Sequence, residues 1–314
     1  MAATFLVFAI TQCTKKKSDA PAEEEPAATT TASGPNTVAD IIAANGSAPN
    51  TVTVDATTAT TLTINGNIFE IPANAFVTAG GGTVAGTVTL TVKTVMTKSQ
   101  IIFSGAGANS SSSKLVVTKG CIKSTASQNS QSLRLNTGGG FFINVPDPIA
   151  SPPPMKKYYA PKITATDSTA YWALGTDVSD IAQRTFTSSS TVYHQASLDS
   201  LKWLNVGVQY DSVSAPKTAV TVTLNPTQFT KANTMVFLSF NGSLTVGALF
   251  EITPGTFRIS NMPIGKGVHI IAVAALNGHY YVDKLSTLVS STPIGLNMQM
   301  VTQSQMQAIV ASLP

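Results

Sequence analysis

The chain has few of the residues that form disulfides, hold metals or contact nucleic acids. Its 314 residues include two cysteines, three histidines and three arginines, and only 11% are charged. Nucleic-acid binding relies on clustered arginine and lysine, whereas here the positive charges beyond residue 17 are scattered, so no nucleic-acid partner is expected. The motifs of serine hydrolases, zinc proteases, phosphate-binding loops and calcium loops are also missing. We therefore predict a protein that is not an enzyme, with no catalytic residues, no metal site and no cofactor.

The N-terminal region lacks an apolar run of the roughly 20 residues that a membrane-spanning helix needs. A short apolar run, TFLVFAI, leads instead to Cys13 and is followed by residues rich in Lys, Glu, Pro, Ala and Thr. Residues 1–13 resemble a bacterial lipoprotein signal, which implies that Cys13 carries lipid and anchors the protein to the outer membrane, on its periplasmic face or at the cell surface. A composition like that of residues 14–37 does not bury enough apolar surface to fold, which predicts a disordered tether. The alternative is a disordered N-terminus with an ordinary cysteine.

The second cysteine, Cys121, has no partner if Cys13 carries lipid. It lies in a partly alternating apolar stretch, KLVVTKGCIKSTA. Free cysteine in such a setting behaves as a small buried apolar residue. We predict a structural thiol rather than a nucleophile.

Most segments after residue 50 alternate apolar and polar residues, the pattern of strands with one buried face. Three Asn-Gly pairs, at residues 65–66, 241–242 and 277–278, separate such segments. Type I′ hairpin turns need positive φ at both central residues, which Asn-Gly adopts with little strain. Helix is predicted only for residues 38–44 and at the C-terminus. There Thr302 caps a segment whose apolar residues, Met306, Ile309, Val310 and Leu313, form one stripe.

These patterns predict an all-β fold of two tandem antiparallel β-sandwiches with a short C-terminal helix. The segment PDPIASPPPMKKYYAP contains consecutive prolines, which are excluded from central strands and stiffen a chain into a spacer. We therefore expect an N-terminal sandwich at residues 38–148, a Pro-rich linker at 149–161, and a C-terminal sandwich with the terminal helix at 162–314.

Two stretches resemble known families. Residues 67–92, which contain IPANAF and then GTV, resemble the β-sandwich of the zonula-occludens and netrin-receptor type, a divergent form of which recurs in uncharacterised lipoproteins of the Bacteroidota. Residues 255–265, which contain GTFRI and PIG, resemble the prealbumin-like sandwich of carboxypeptidase regulatory domains. Both resemblances imply structural or accessory modules without chemistry of their own. The resemblance of residues 67–92 also implies that Pro72 fixes a bend and that Ala75 and Phe76 fill the core.

Aromatic residues of the second half are the main indication of ligand recognition. Exposed tyrosine and tryptophan rings bind sugars or protein partners, and adjacent aromatic residues on a strand face opposite ways. Tyr171, Trp172, Trp203 and Tyr210 are therefore candidate ligand-binding residues. The simpler interpretation of the same rings is that they fill the core.

The function that best fits the sequence is a non-catalytic, lipid-anchored binding or scaffolding module of the cell envelope. Its expected partners are the membrane, through the anchor, and either a polysaccharide or another envelope protein. Three alternatives remain open. One is a glycan-binding surface protein, another is a structural subunit of an extracellular assembly, and the third is a hydrolase that uses His194 with Asp199 or Asp211 and a serine.

Overall fold

A computed structural model describes residues 34–111, 114–136, 138, 140–147, 154–160, 171–176, 181–186, 191–210 and 216–314. Up to residue 209 its elements are α1 (Val38–Asn45), β1 (Asn50–Asp55), β2 (Thr60–Ile64), β3 (Asn67–Ile71), β4 (Phe76–Val77), β5 (Thr87–Val95), α2 (Lys98–Phe103), β6 (Val116–Gln128), β7 (Gln131–Ser132), β8 (Arg134–Leu135), β9 (Phe142–Asp147), β10 (Lys156–Ala160), β11 (Ala173–Leu174), β12 (Ala182–Thr185), β13 (Val192–Ser197) and β14 (Trp203–Gln209). The remaining elements are β15 (Lys217–Thr223), β16 (Thr234–Phe240), β17 (Val246–Thr253), β18 (Thr256–Pro263), β19 (Gly267–Leu276), β20 (His279–Leu288), β21 (Ile294–Gly295), β22 (Gln299–Val301) and α3 (Gln303–Ala311). The predicted all-β class is confirmed. The predicted signal, almost all of the tether and much of the Pro-rich segment lie outside the described residues.

The first sandwich packs a seven-stranded sheet on a five-stranded sheet. The seven-stranded sheet has the order β1-β5-β6-β14-β10-β11, with β7 also paired to β6, and the five-stranded sheet has the order β12-β13-β9-β3-β2. Alternate residues of both sheets, among them Phe69, Leu90, Ile143 and Val206, form its buried core. This is the usual outcome when two amphipathic sheets face each other.

The prediction that residues 149–161 separate the two sandwiches is wrong. Strands on both sides of this segment belong to the same two sheets, because β14 pairs with β6 and β13 pairs with β9. The change of sandwich falls instead between the end of β14 and the start of β15. Consecutive prolines are excluded from central strands, but a connection between two strands of one sandwich has the same sequence pattern as a linker between domains.

The second sandwich is built from one eight-stranded sheet with the order β21-β15-β18-β17-β16-β19-β20-β22. Val222 of β15, Leu238 of β16, Phe257 of β18 and Ile270 of β19 all belong to one buried cluster. These strands are spread over the sheet, yet their side chains meet in one cluster. The sheet therefore curls around that cluster.

A third apolar cluster lies between the two sandwiches, and all three described helices contribute to it. It combines Ile41 of α1, Ile102 of α2 and Val310 of α3 with Phe237 and Ile271 of the second sandwich. The described residues belong to one compact unit. The predicted helices at the two ends are present, and the stripe of α3 is buried in this layer, with Ile309 partly buried.

Local signals in the sequence account for several turns and caps. Asn65-Gly66 and Asn277-Gly278 both have positive φ and form two-residue hairpins, as predicted. At Asn241-Gly242 only the glycine has positive φ, and the hairpin from β16 to β17 has a longer loop. Helix α2 was not predicted, although its sequence contains a capping box formed by Thr97 and Gln100.

Candidate ligand-binding cleft

An open cleft of about 410 Å³ lies where residues 109–110, residues 114–115 and Tyr171 meet the β17–β18 hairpin. We call it the junction cleft. Its lining residues include Asn109, Ser110, Lys114, Tyr171, Phe250, Ile252, Arg258 and Ser260. The lining mixes aromatic, aliphatic, hydroxyl and cationic groups, which is the composition of a site that orients a polar ligand on an apolar surface.

The floor of the junction cleft is fixed by Asn109. Its side-chain Nδ2 donates to the carbonyl of Ala248 at 3.0 Å, and its Oδ1 accepts from the N–H of Ala248 at 2.8 Å. Next to it, a Cβ on Gly107 would lie 2.7 Å from the Cβ of Ala248, so only glycine permits this approach of the two chains. The segment that carries Asn109 is thus held rigidly against β17.

Trp172 holds the other wall in place. Its ring is buried, its Nε1 donates to the Gly107 carbonyl at 2.9 Å, and its backbone N–H donates to the Asn109 carbonyl at 2.9 Å. Because consecutive residues of an extended chain point to opposite sides, Tyr171 faces the cleft and is 36% exposed. The Tyr171 ring meets Phe250 edge to face, with 6.3 Å between the ring centroids.

The charge of the junction cleft comes from Lys114 and Arg258. Arg258 lies on β18 directly opposite Phe250 of β17, so both side chains emerge on the same face of the sheet. The Arg258 side chain is exposed and, within the described part of the chain, makes no hydrogen bond or ion pair. No Asp or Glu is among the described residues that line the cleft. Both charged side chains of the described lining are therefore cationic.

Only one of the four predicted ligand-binding residues lines this cleft. Trp172 and Trp203 are 1% and 7% exposed and belong to the cluster between the sandwiches, so the prediction that they contact ligand is wrong. Tyr210 is half-buried and stacks on Phe240 at 5.2 Å between ring centroids, outside the lining of the cleft. The alternation of Tyr171 and Trp172 was visible in the sequence. Which of the two faces the core depends on packing against the second sandwich.

Three polar side chains, Asp147, Lys119 and His194, form a separate cluster inside the first sandwich. Asp147 of β9 accepts from Lys119 of β6 at 2.9 Å and lies 3.1 Å from the Nε2 of His194 on β13. Lys119 sits at a β-bulge of β6, where it has no partner on β14, and bulges commonly redirect a side chain in this way. His194 and Asp147 are fully buried, while Lys119 is 16% exposed.

The buried histidine lacks the arrangement of the hydrolase hypothesis. His194 pairs with Asp147, whereas Asp199 lies 3.8 Å from Lys157 and Asp211 is outside the described residues. Burial lowers the pKa of His194 below its ordinary value, although the Asp147 carboxylate acts in the opposite direction. The Nδ1 atom is buried and has no hydrogen-bond partner among the residues that the structure describes. A fully buried imidazole does not meet a substrate, so we assign this group to the interior polar network.

The other reactive residues are placed as follows. Cys121 is buried, and burial raises the pKa of its thiol to about 12, which confirms the predicted structural thiol. His269 lies 2.8 Å from the Ser286 hydroxyl across β19 and β20. Within the described ranges, no group of three His, Cys, Asp or Glu side chains is placed to hold a metal ion. Cys13 lies outside the described residues.

Comparisons with protein-family models, with curated proteins and with solved structures gave no match. Among the described helices, none is long and apolar enough to cross a membrane.

Proposed function

We propose that this protein is a non-catalytic, lipid-anchored binding module of the cell envelope and that the junction cleft is its ligand site. The ligand class that fits best is a saccharide. A tyrosine ring beside hydroxyl and guanidinium groups offers a face for the C–H side of a sugar and donors for its oxygens. The proposed location in the cell envelope rests on Cys13 and on the resemblance of residues 1–13 to a lipoprotein signal.

The observation that carries the proposal is the exposure of Tyr171 on a fixed support. Trp172 and Asn109 hold the backbone on either side of the cleft. The Tyr171 ring is therefore already in place and loses little conformational freedom when a ligand binds. Preorganisation of this kind reduces the entropic cost of association. A ring that is 36% exposed and supported by Phe250 is suited to contact with ligand.

Binding of the full chain to an immobilised glycan array tests the proposal. Tyr171→Ala is expected to weaken binding about tenfold, because an aromatic contact contributes about 0.5–1.5 kcal/mol beyond the burial of its area and about 1.4 kcal/mol corresponds to a factor of ten. Tyr171→Phe should retain most of the affinity. Tyr193→Ala is the matched control, since Tyr193 also packs edge to face on a phenylalanine, Phe186, but lies in the first sandwich outside the cleft. Equal binding by Tyr171→Ala and the unaltered chain, or no binding to any glycan, would contradict the proposal.

The anchor is tested separately by intact mass and membrane fractionation of the chain expressed in a bacterium with a lipoprotein pathway. A diacyl or triacyl adduct that is lost in Cys13→Ser is the expected result. An unmodified Cys13 in the soluble fraction would remove the envelope part of the proposal and leave the binding site to be tested on its own.

A further inference from the structure

We infer that the ligand of the junction cleft is an acidic saccharide, one whose sugar rings carry carboxylate groups. This inference rests on the proposed function and specifies the chemistry of its ligand. The reasons are the sign of the charge in the cleft, the position of the guanidinium group and the form of the adjacent aromatic surface.

The first reason is electrostatic. Lys114 and Arg258 line the cleft, and no carboxylate is among its described lining residues. In the second sandwich, by contrast, the carboxylates of Glu251 and Asp283 accept hydrogen bonds from backbone N–H groups. They are therefore held by other partners. Cationic side chains that line a concave surface concentrate anions there and disfavour a cationic ligand.

The second reason is the geometry of Arg258. It lies within β18 and opposite Phe250, so its backbone is held on both sides by β15 and β17. The N–H donors of its planar guanidinium group can form a bidentate pair with a carboxylate. Such a pair is stronger than a hydrogen bond between neutral groups. Since the guanidinium group of Arg258 has no partner among the described residues, all of its donors are available to ligand.

The third reason is the combination of that guanidinium group with an aromatic surface. Tyr171 and Phe250 form an edge-to-face pair beside Arg258, and Ser110 and Ser260 add hydroxyl groups. A uronic acid presents all three complementary features in one ring, namely an apolar C–H face, hydroxyl groups and a planar carboxylate. A simple inorganic anion would use the guanidinium but not the aromatic pair.

Two pairs of polymers test the inference on the full chain, because the members of each pair share a backbone and differ in charge. The first pair is polygalacturonate and its methyl ester, and the second is carboxymethyl cellulose and hydroxyethyl cellulose. The charged member of at least one pair is expected to bind at least tenfold more tightly than its neutral counterpart. Its affinity should fall as NaCl is raised from 0.05 to 0.5 M.

Two substitutions locate the effect. Arg258→Gln is expected to weaken binding of the charged polymer about 10- to 100-fold, as expected for loss of a charge-assisted pair, and Arg258→Lys should restore only part of it. Lys266→Gln is the matched control, since it removes the same charge from an exposed position of the second sandwich outside the cleft lining. Arg258 is exposed, so neither substitution threatens folding.

The outcomes separate the two proposals. Equal binding of charged and neutral polymers, with loss in Tyr171→Ala, would overturn the acidic ligand and keep the saccharide site. Equal effects of Arg258→Gln and Lys266→Gln would show a non-specific charge effect and also overturn the acidic ligand. Failure of every polymer to bind would overturn the acidic ligand, whereas the saccharide site itself is decided by the glycan array.

Discussion

The side chain of Asn109 forms two hydrogen bonds with the backbone of Ala248, one to its carbonyl at 3.0 Å and one from its N–H at 2.8 Å. The two residues are 139 positions apart in the chain. A buried amide that matches both groups of one residue extends the hydrogen bonding of β17 to a segment of the first sandwich. It also sets the floor of the junction cleft.

We expect Asn109→Ala to destabilise the protein by about 2–4 kcal/mol, since it leaves a buried N–H and a buried carbonyl without partners. Urea unfolding of the full chain measures the change in the free energy of unfolding. Asn297→Ala, at an exposed asparagine, is the control and should stay within about 0.5 kcal/mol of the unaltered chain. Equal stability of the two variants would show that the Asn109 pair does not hold the sandwiches together.

Tyr171 and Trp172 are neighbours whose replacement by alanine is expected to destabilise the protein to very different extents. Trp172→Ala should cost about 3–5 kcal/mol because it opens a cavity in a close-packed region. Tyr171→Ala should cost about 1 kcal/mol or less, since its ring is partly exposed and loses mainly its contact with Phe250. Thermal and urea unfolding of both variants check this order, and a reversed order would place the wrong ring in the core.

His194 should make stability depend on pH. Burial lowers its pKa in the folded chain, so the unfolded chain binds a proton more readily than the folded chain. The stabilisation is complete above the unfolded pKa of about 6.5 and is lost progressively as pH falls from there toward the folded value. Urea unfolding at pH 7.5, 6.5 and 5.5 should show a decline.

The matched variant for this pH effect is His194→Gln, in which the decline between pH 7.5 and 5.5 should be smaller. The pKa of His269 is also lowered, chiefly by burial, so His269→Gln serves as the second comparison. If His194→Gln shows the same decline as the unaltered chain, the pH dependence arises elsewhere.

Cys121 should be inert in the folded protein. A thiol with a pKa of about 12 carries almost no thiolate at pH 8, and the side chain is buried. Iodoacetamide labelling followed by peptide mass spectrometry should modify Cys121 only after urea unfolding. Rapid labelling of native Cys121 would contradict its position in the layer between the sandwiches.

The features that could be predicted from the sequence are those set by local chemistry. The turns at Asn65-Gly66 and Asn277-Gly278 depend on positive φ at adjacent residues, and the α3 cap depends on Thr302. The burial of Ala75 and Phe76 agrees with what the resemblance of residues 67–92 to a known β-sandwich implied.

The features that could not be predicted depend on pairing between distant strands. Nothing near Trp203 shows that β14 joins β6 rather than a strand of the second sandwich. For the same reason the boundary between sandwiches was placed at the prolines. Arg258 had no distinguishing neighbours in sequence, and its role emerges only when β17 places Phe250 beside it.

The most direct test of the central claim is to locate the bound saccharide by hydrogen–deuterium exchange of the full chain with the charged polymer that binds, polygalacturonate or carboxymethyl cellulose. The account predicts protection in residues 109–111, 114–115 and 246–263, which carry the floor and the charged wall of the junction cleft. Protection confined to other segments, such as β20 and α3, would contradict it and place the binding site elsewhere on the molecule.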